Sequence, residues 1–275
     1  MVEASISSQE KSLMSMCCTF RISLLGRIAG LTISGFMYIS HVGASDLVRT
    51  IESVKPSIVG VGTVQKTRSP PLNFLGTGFV MDDGLHVVTN AHVVPEVLDI
   101  ANNESYTVIT GKGKQAELRA ATIAAIDKEH DLALLKIAGP PLPSMKLGDA
   151  NKVREGQMLA FTGFPIGMIL GLFPVTHRGM VSSITPIVLP ARNSRQLDAK
   201  MIGQLQKSAY AVFQLDGTAY PGNSGSPLYD PENGLVYGVI NMVFVKGKKE
   251  AALSNPSGIT YAIPGNYIRE LLERK

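Results

Sequence analysis

Apolar residues in this chain come mostly in short runs of strand length, and Gly, Pro, Asn and Asp separate the runs. Val87 and Val88 belong to one such run, and Leu132–Ile137 forms another. Short apolar runs bounded by turn residues are typical of strands in a buried sheet. The 27 Gly and 16 Pro residues suit a chain with many tight turns. The pattern therefore predicts an all-β fold.

Helical spacing of apolar residues is found in few places. It predicts a short helix over Ser194–Gln206 that covers the β-structure, a second short helix over Asp46–Val54, and one closing helix near the C-terminus. The Pro- and Gly-rich stretch Gly139–Asp149 is expected to link two halves of the chain.

The N-terminal pattern differs from the rest. Basic residues precede a 13-residue apolar stretch, Ile28–Ser40, and small residues follow at Val42–Ala44. This order is typical of a secretory signal peptide, and the apolar stretch is shorter than the ~20 residues of a membrane-spanning helix. We therefore expect residues 1–44 to be a signal peptide that exports the domain over residues 45–275. An uncleaved membrane anchor over residues 28–42 is the alternative.

Composition and charge argue against several classes of function. The net charge of +4 is mild, and no basic stripe with interleaved aromatic residues is present, so no nucleic-acid partner is expected. Both cysteines, Cys17 and Cys18, lie in the leader, so the exported domain has to rely on its apolar core. The chain contains neither an H-E-x-x-H nor a C-x-x-C motif, and no metal or cofactor is expected.

A glycine-rich turn surrounds Ser224. A serine hydroxyl needs a base to take its proton, and the attacked carbonyl needs donors for its developing negative charge. Gly222 permits a tight turn in which its own amide and that of Ser224 converge, with Asn223 between them. These three residues are therefore predicted to form an oxyanion hole. Ser226 is a rival nucleophile, and an ordinary turn is the alternative.

Two earlier segments offer a base and a carboxylate. His92 follows a strand and a turn, where a rigid scaffold can present it to a cleft. Asp131 directly precedes the apolar run Leu132–Ile137, where a partly buried carboxylate can orient an imidazole. Asp127, four residues earlier, is the alternative carboxylate.

The other histidines receive no catalytic assignment. His86 lies near the turn signal Asp82–Gly84 and is predicted to face solvent. His130 adjoins Asp131 but would point the opposite way on an extended chain. Together, His92, Asp131 and Ser224 follow one another in the chain order of a chymotrypsin-type triad, which predicts nucleophilic serine chemistry.

Seven segments of the chain resemble the HtrA (Deg) type of trypsin-like serine proteases, in the short bacterial form that consists of the protease domain alone. The segments are G-T-G-F-V (Gly76–Val80), T-N-A-H-V-V (Thr89–Val94), D-L-A-L-L-K-I (Asp131–Ile137), F-T-G-F-P-I-G (Phe161–Gly167), F-Q-L-D-G-T-A-Y-P-G-N-S-G-S-P-L (Phe213–Leu228), Y-G-V-I-N (Tyr237–Asn241) and G-I-T-Y-A-I-P (Gly258–Pro264). The chain departs from this family at Ser226, where relatives usually carry Gly, and no PDZ domain is expected.

The resemblance implies two six-stranded antiparallel β-barrels of the chymotrypsin type, over about residues 50–140 and 152–264, with a C-terminal helix. It implies that His92 is the general base, that Asp131 orients it and that Ser224 is the nucleophile. The hole for the oxyanion would be formed by the segment from Gly222 to Ser224.

The resemblance also implies where a substrate would bind. Thr218 is expected near the base of the primary specificity pocket, and Ile240, Asn241 and Met242 along its wall. Because no Asp occupies position 218 to select Lys or Arg, small or medium aliphatic residues are predicted before the cut.

The leading hypothesis is an exported serine endopeptidase, in the bacterial periplasm, that acts on unfolded or damaged polypeptides. The resemblance implies that a homotrimer could assemble through the N-terminal segment. Contact with a membrane is expected only if the leader is uncleaved. The alternatives are a processing protease with a narrow substrate range and a non-catalytic, chaperone-like binding module on the same fold.

Overall fold

A computed structural model of the protein describes residues 46–111, 113–167, 171–186, 210–241 and 258–274. The elements in these ranges are α1 (Asp46–Val54), β1 (Ile58–Val64), β2 (Leu72–Met81), β3 (His86–Asn90), β4 (Ser105–Thr110), β5 (Glu117–Asp127), β6 (Leu132–Ile137), β7 (Met158–Gly163), β8 (Val175–Pro186), β9 (Ala211–Asp216), β10 (Pro227–Tyr229), β11 (Val236–Asn241), β12 (Ile259–Pro264) and α2 (Asn266–Leu272).

The strands form two closed barrels. The first has the strand order β1-β2-β3-β6-β5-β4, and the second has the order β10-β11-β12-β9-β8-β7. The paired strands in both barrels run antiparallel. The predicted all-β architecture of two six-stranded barrels with a C-terminal helix is confirmed.

Adjacent apolar residues in β3 and β6 follow from burial on both faces of these strands. Val87 and Leu135 lie in the apolar cluster inside the first barrel. Their neighbours Val88 and Leu134 belong to a different cluster, which includes Tyr229 of the second barrel. Because successive side chains point to opposite faces of a strand, both parities have to be apolar here. This double burial makes β3 and β6 rigid supports for the residues at their ends.

Helix α2 packs its buried Ile268 and Leu271 into the cluster that Val88 and Leu134 join. Helix α1 forms where the sequence predicted a short helix, and Thr50 Oγ1 donates to the carbonyl of Glu232 at 3.2 Å. The link between the barrels is held by the amide of Met145, which donates to the carbonyl of Val80 at 2.9 Å.

Several predictions fall outside the described residues. They are the leader over residues 1–44, the helix over Ser194–Gln206, and Met242 in the expected pocket wall. Among the helices of the described ranges, none is long and apolar enough to cross a membrane.

Candidate active site

His92 and Asp131 lie against each other at the edge of the first barrel. Strand β3 ends at Asn90, and a single 3-10 turn over Ala91–Val93 then presents His92. Nδ1 of His92 lies 2.6 Å from Oδ2 of Asp131, and the backbone amide of His92 donates to Oδ1 at 2.8 Å. Both carboxylate oxygens therefore hold the same residue, which fixes the imidazole relative to its own backbone.

The turn that carries Asp131 is tied to the end of β3. Asp131 has a φ of 52°, in the left-handed region that Asp tolerates better than most residues. Its carbonyl accepts from the amide of Ala91 at 3.0 Å and from Nδ2 of Asn90 at 3.1 Å. These bonds fix the backbone of Asp131 and so hold its carboxylate in position beside His92.

Asn241 connects this pair to the second barrel. It is the last residue of β11, and its Nδ2 donates to Oδ2 of Asp131 at 2.7 Å. The resemblance implied a place for Asn241 in the wall of a specificity pocket, and the structure directs its amide nitrogen to the carboxylate of Asp131. The oxygen that faces His92 is therefore also held from the opposite barrel.

Ser224 lies in the loop between β9 and β10, close to the turn of His92. Thr77 of β2 donates its amide to the carbonyl of Ser224 at 2.9 Å. A Cβ placed on Gly76 would come within 2.8 Å of Cγ2 of Val93 and 3.0 Å of the carbonyl oxygen of Ser224. Since Val93 directly follows His92, the serine loop and the histidine turn meet at Gly76, where only a glycine fits.

The loop before Ser224 has a defined backbone. Gly222 has a φ of 101°, and a Cβ there would collide with the carbonyl oxygen of Phe164. The carbonyl of Pro221 accepts from the amide of Ile166 at 2.7 Å. In a trans peptide the C=O and N–H groups point in opposite directions, so the amide of Gly222 points away from Ile166.

Ser226 and Asn223 are fully buried behind this loop. The hydroxyl of Ser226 lies against Gly163, and neither it nor the side-chain amide of Asn223 has a hydrogen-bond partner among the described residues. Burial removes Ser226 as a rival nucleophile. The amide of Asn223 donates to the carbonyl of Tyr220 at 2.9 Å, which closes the turn.

Thr218 and Ile240, which were both expected in the specificity pocket, differ in burial. Thr218 is partly buried, between Gly217 and Ala219, and the buried hydroxyl of Thr260 donates to the carbonyl of Gly217 at 2.6 Å and accepts from the amide of Ala219 at 3.0 Å. Ile240 has no exposed surface, because its side chain packs into the core of the second barrel. Its place in the pocket wall stays a prediction.

His130 forms a second pair, with the alternative carboxylate. Its Nδ1 lies 2.9 Å from Oδ2 of Asp127, and its ring stacks on Tyr267 with centroids 3.8 Å apart. Arg274 reaches the same carboxylate oxygen at 3.3 Å. Burial raises the pKa of Asp127, but the hydrogen bonds and charge from His130 together with the charge of Arg274 outweigh this effect and lower it overall.

The prediction that His86 faces solvent is wrong. His86 is buried, and its Nδ1 lies 2.9 Å from Oδ1 of Asp83. The β2–β3 turn folds Asp83 back over the imidazole, which gives the buried ring a partner. Among the residues that the structure describes, no group of three or more His, Cys, Asp or Glu side chains could hold a metal ion.

Two closed antiparallel barrels, a His–Asp pair at the edge of one and a serine between glycines in the other define a protein of the chymotrypsin type. The sequence profile of the trypsin-like peptidase domain matches residues 76–239, and the chain belongs to this family.

Relatives and solved structures agree with this assignment. The chain is 30% identical over 191 residues to a probable periplasmic serine endoprotease DegP-like of Pseudomonas putida, which covers 69% of this chain and 32% of the relative. It is 31% identical over 201 residues to the mitochondrial serine protease HTRA2 of Drosophila pseudoobscura pseudoobscura, covering 72% of this chain and 38% of the relative. The chain thus spans about a third of the length of these relatives.

The fold is similar to that of the HtrA-type protease AlgW, solved with a decapeptide, at a TM-score of 0.59 and 23% identity, over 82% of this chain and 66% of that one. At this identity the likeness shows the fold. The resemblance to HtrA-type proteases that the sequence motifs indicated is confirmed.

Proposed function

We propose that the protein is a serine endopeptidase that cleaves peptide bonds through His92, Asp131 and Ser224. The observation that carries this proposal is the contact of 2.6 Å between His92 Nδ1 and Asp131 Oδ2, with Asn241 donating to the same oxygen. Membership of the trypsin-like peptidase family supports it.

Each residue has a role in the proposed reaction. Asp131 accepts a hydrogen bond from the Nδ1–H of His92, which keeps that proton on Nδ1 and leaves Nε2 as the base that takes the hydroxyl proton of Ser224. Ser224 Oγ bonds to the substrate carbonyl carbon, and the imidazolium returns its proton to the leaving amine. Water then attacks the acyl-enzyme by the same route and releases the second product.

The negative charge on the carbonyl oxygen needs donors that are already in place. The amides of Gly222 and Ser224, with Asn223 between them, are the proposed donors. The bond from the amide of Ile166 to the carbonyl of Pro221 supports this assignment, because it directs the amide of Gly222 away from Ile166.

The proposed substrates are unfolded or damaged polypeptides outside the cytoplasm, cut after small or medium aliphatic residues. The name of the Pseudomonas putida relative supports a periplasmic location. For specificity the support lies in Thr218, which is uncharged and partly buried, between two residues that Thr260 holds. Assembly as a homotrimer belongs to the same proposal.

The test compares cleavage of one substrate protein in a folded and a permanently unfolded form by the full chain. Ser224→Ala should abolish cleavage, and Ser226→Ala, a change at the buried serine two residues away, should keep it. A peptide library should show aliphatic residues before the cut.

Other outcomes would change the proposal. Cleavage of a single folded partner alone would indicate a narrow processing protease. Strong preference for Arg or Lys would contradict the specificity, and activity that persists in Ser224→Ala would contradict the nucleophile. Absence of cleavage together with suppressed aggregation of the unfolded substrate would indicate a chaperone-like binding module.

A further inference from the structure

We propose that Thr77 is a positioning residue for the oxyanion hole, through a hydroxyl that the first barrel extends to two backbone groups of the second. This inference rests on the proposed endopeptidase function. It assigns to a residue without substrate contact the task of holding the Gly222 amide in place.

Every hydrogen-bonding group of Thr77 is engaged with the site or its support. The residue lies in β2 and has no exposed surface. Its Oγ1 donates to the carbonyl of Gly222 at 2.6 Å and accepts from the amide of Phe164 at 3.0 Å. Its amide donates to the carbonyl of Ser224 at 2.9 Å, and its own carbonyl accepts from Thr89 Oγ1 at 2.7 Å.

The hydroxyl matters because Gly222 has little conformational restraint of its own. Without a Cβ, its φ and ψ are free to change, and rotation of the adjacent peptides would turn its amide away from the substrate. The Pro221 carbonyl is held by the amide of Ile166, and the Gly222 carbonyl is held by Thr77. The peptide planes on both sides of Gly222 therefore have fixed orientations.

The same hydroxyl also holds the loop that supports the first of these planes. Phe164, whose amide donates to Thr77, lies two residues before Ile166, whose amide donates to Pro221. Thr77 thus acts on the Pro221–Gly222 peptide indirectly and on the Gly222–Asn223 peptide directly. A single oxygen of β2 joins both loops.

The hydroxyl of Thr77 lies in a tightly packed part of the interface between the two barrels. A Cβ on Gly163 would come within 2.9 Å of Thr77 Oγ1 and 3.0 Å of Asn223 Oδ1, so the space around the hydroxyl is filled. Loss of the hydroxyl would leave the partly buried carbonyl of Gly222 and the buried amide of Phe164 unpaired, and the loops would have to move to pair them. Rotation of the peptide groups beside Gly222 meets the least resistance, because Gly222 has no Cβ.

The experiment compares three full-length variants with the wild type. Thr77→Val removes the hydroxyl and keeps the shape, Thr77→Ser keeps the hydroxyl, and Thr107→Val is a matched control. Thr107 is a buried threonine of β4 in the same barrel whose Oγ1 donates to the carbonyl of Arg119 at 3.2 Å. Each variant is assayed for kcat and KM on a peptide substrate and for inhibition by a peptide trifluoromethyl ketone, whose adduct carries an oxyanion.

Thr77→Val should lower kcat by about 10- to 100-fold. This decrease is no larger than the decrease in kcat that follows the removal of one oxyanion donor. Its KM should stay within about threefold, because ground-state binding is unaffected. Affinity for the ketone should fall by the same factor as kcat/KM. Thr77→Ser should recover most of the activity, and Thr107→Val should match the wild type.

A wild-type kcat in Thr77→Val, a loss confined to KM, or a Thr77→Ser variant as impaired as Thr77→Val would overturn the inference. If Thr77→Val does not fold, Thr77→Cys takes its place, since a thiol of similar size is only a weak donor. Inactivity of the wild type on every substrate would overturn the proposed function itself, whereas an active wild type with an equally active Thr77→Val would overturn only the role of Thr77.

Discussion

Two His–Asp pairs, whose aspartates are four residues apart in the chain, lie at the same end of the first barrel and differ in their surroundings. Nδ1 of His92 lies 2.6 Å from Asp131, and Nδ1 of His130 lies 2.9 Å from Asp127. The side chains of the first pair are 31% and 20% exposed, whereas those of the second are 12% and 4% exposed. A short His–Asp contact is therefore not sufficient to define a catalytic pair.

The partners of each pair explain the difference. The ring of His130 stacks on Tyr267 and meets the ring of Tyr210 edge-on at 4.8 Å, so aromatic rings cover it. Burial and the charges of nearby carboxylates raise the pKa of Tyr210, which keeps this phenol neutral. The pair thus fastens the β5–β6 turn to α2 and to the segment before β9.

The pair of His92 and Asp131 is more open to solvent than the pair of His130 and Asp127. His92 keeps an open side, and the group that braces its carboxylate is Asn241 of the second barrel. A solvent-exposed imidazole beside a hydrogen-bonded carboxylate, as in His92 and Asp131, suits proton transfer. An imidazole covered by aromatic rings, as in His130, suits structural support.

The largest expected contrast is between the two carboxylates. Asp131→Asn should lower kcat by roughly 10⁴-fold, because an amide favours the wrong tautomer of the imidazole. Asp127→Asn should leave kcat within about tenfold and should lower the free energy of unfolding by about 1–3 kcal/mol, since it weakens buried hydrogen bonds to His130 and an ion pair. The measurements are steady-state kinetics and urea denaturation of both variants.

The two variants control for each other, because each makes the same chemical change in a neighbouring His–Asp pair. A large kcat loss in Asp127→Asn, at unchanged stability, would show that the enclosed pair takes part in the chemistry.

A smaller effect is expected in the acid dependence of stability. The folded-state pKa of Asp127 lies below its usual 3.8, because the contributions of His130 and Arg274 outweigh that of burial. Its carboxylate therefore stabilises the fold above the unfolded-state pKa, and this stabilisation is lost as the pH falls through the lower folded-state pKa. The stability difference between wild type and Asp127→Asn should be full near pH 7 and should shrink below about pH 4. A difference that stays constant down to the acid transition would contradict this assignment.

Local patterns were sufficient to predict an all-β chain and the members of the His–Asp pair, whereas the arrangement in two barrels was implied by the resemblance to HtrA-type proteases. The apolar runs of β3 and β6 predict strands, and the residues at their ends are brought together by the direct pairing of Asn90 with Leu132. Asp131 rather than Asp127 faces His92, as the position beside the apolar run indicated.

Contacts between distant segments were not predictable in this way. Asn241 reaches Asp131 across 110 residues of chain, and Thr77 reaches Gly222 across 145. A threonine in a strand is ordinary, and the one local signal at Thr77 is a polar residue between two glycines in a buried strand. The burial of His86 was missed for a related reason, since a strand pattern does not tell which turn folds over a side chain.

The most direct test of the account measures the rate at which a fluorophosphonate probe labels the full-length protein. We predict that the wild type is labelled, that Ser224→Ala is not, and that His92→Ala reacts at least about 1,000-fold more slowly. His130→Ala, the matched change in the enclosed pair, should be labelled at nearly the wild-type rate. Equal rates for His92→Ala and the wild type, or labelling that persists in Ser224→Ala, would contradict the assignment of the catalytic site.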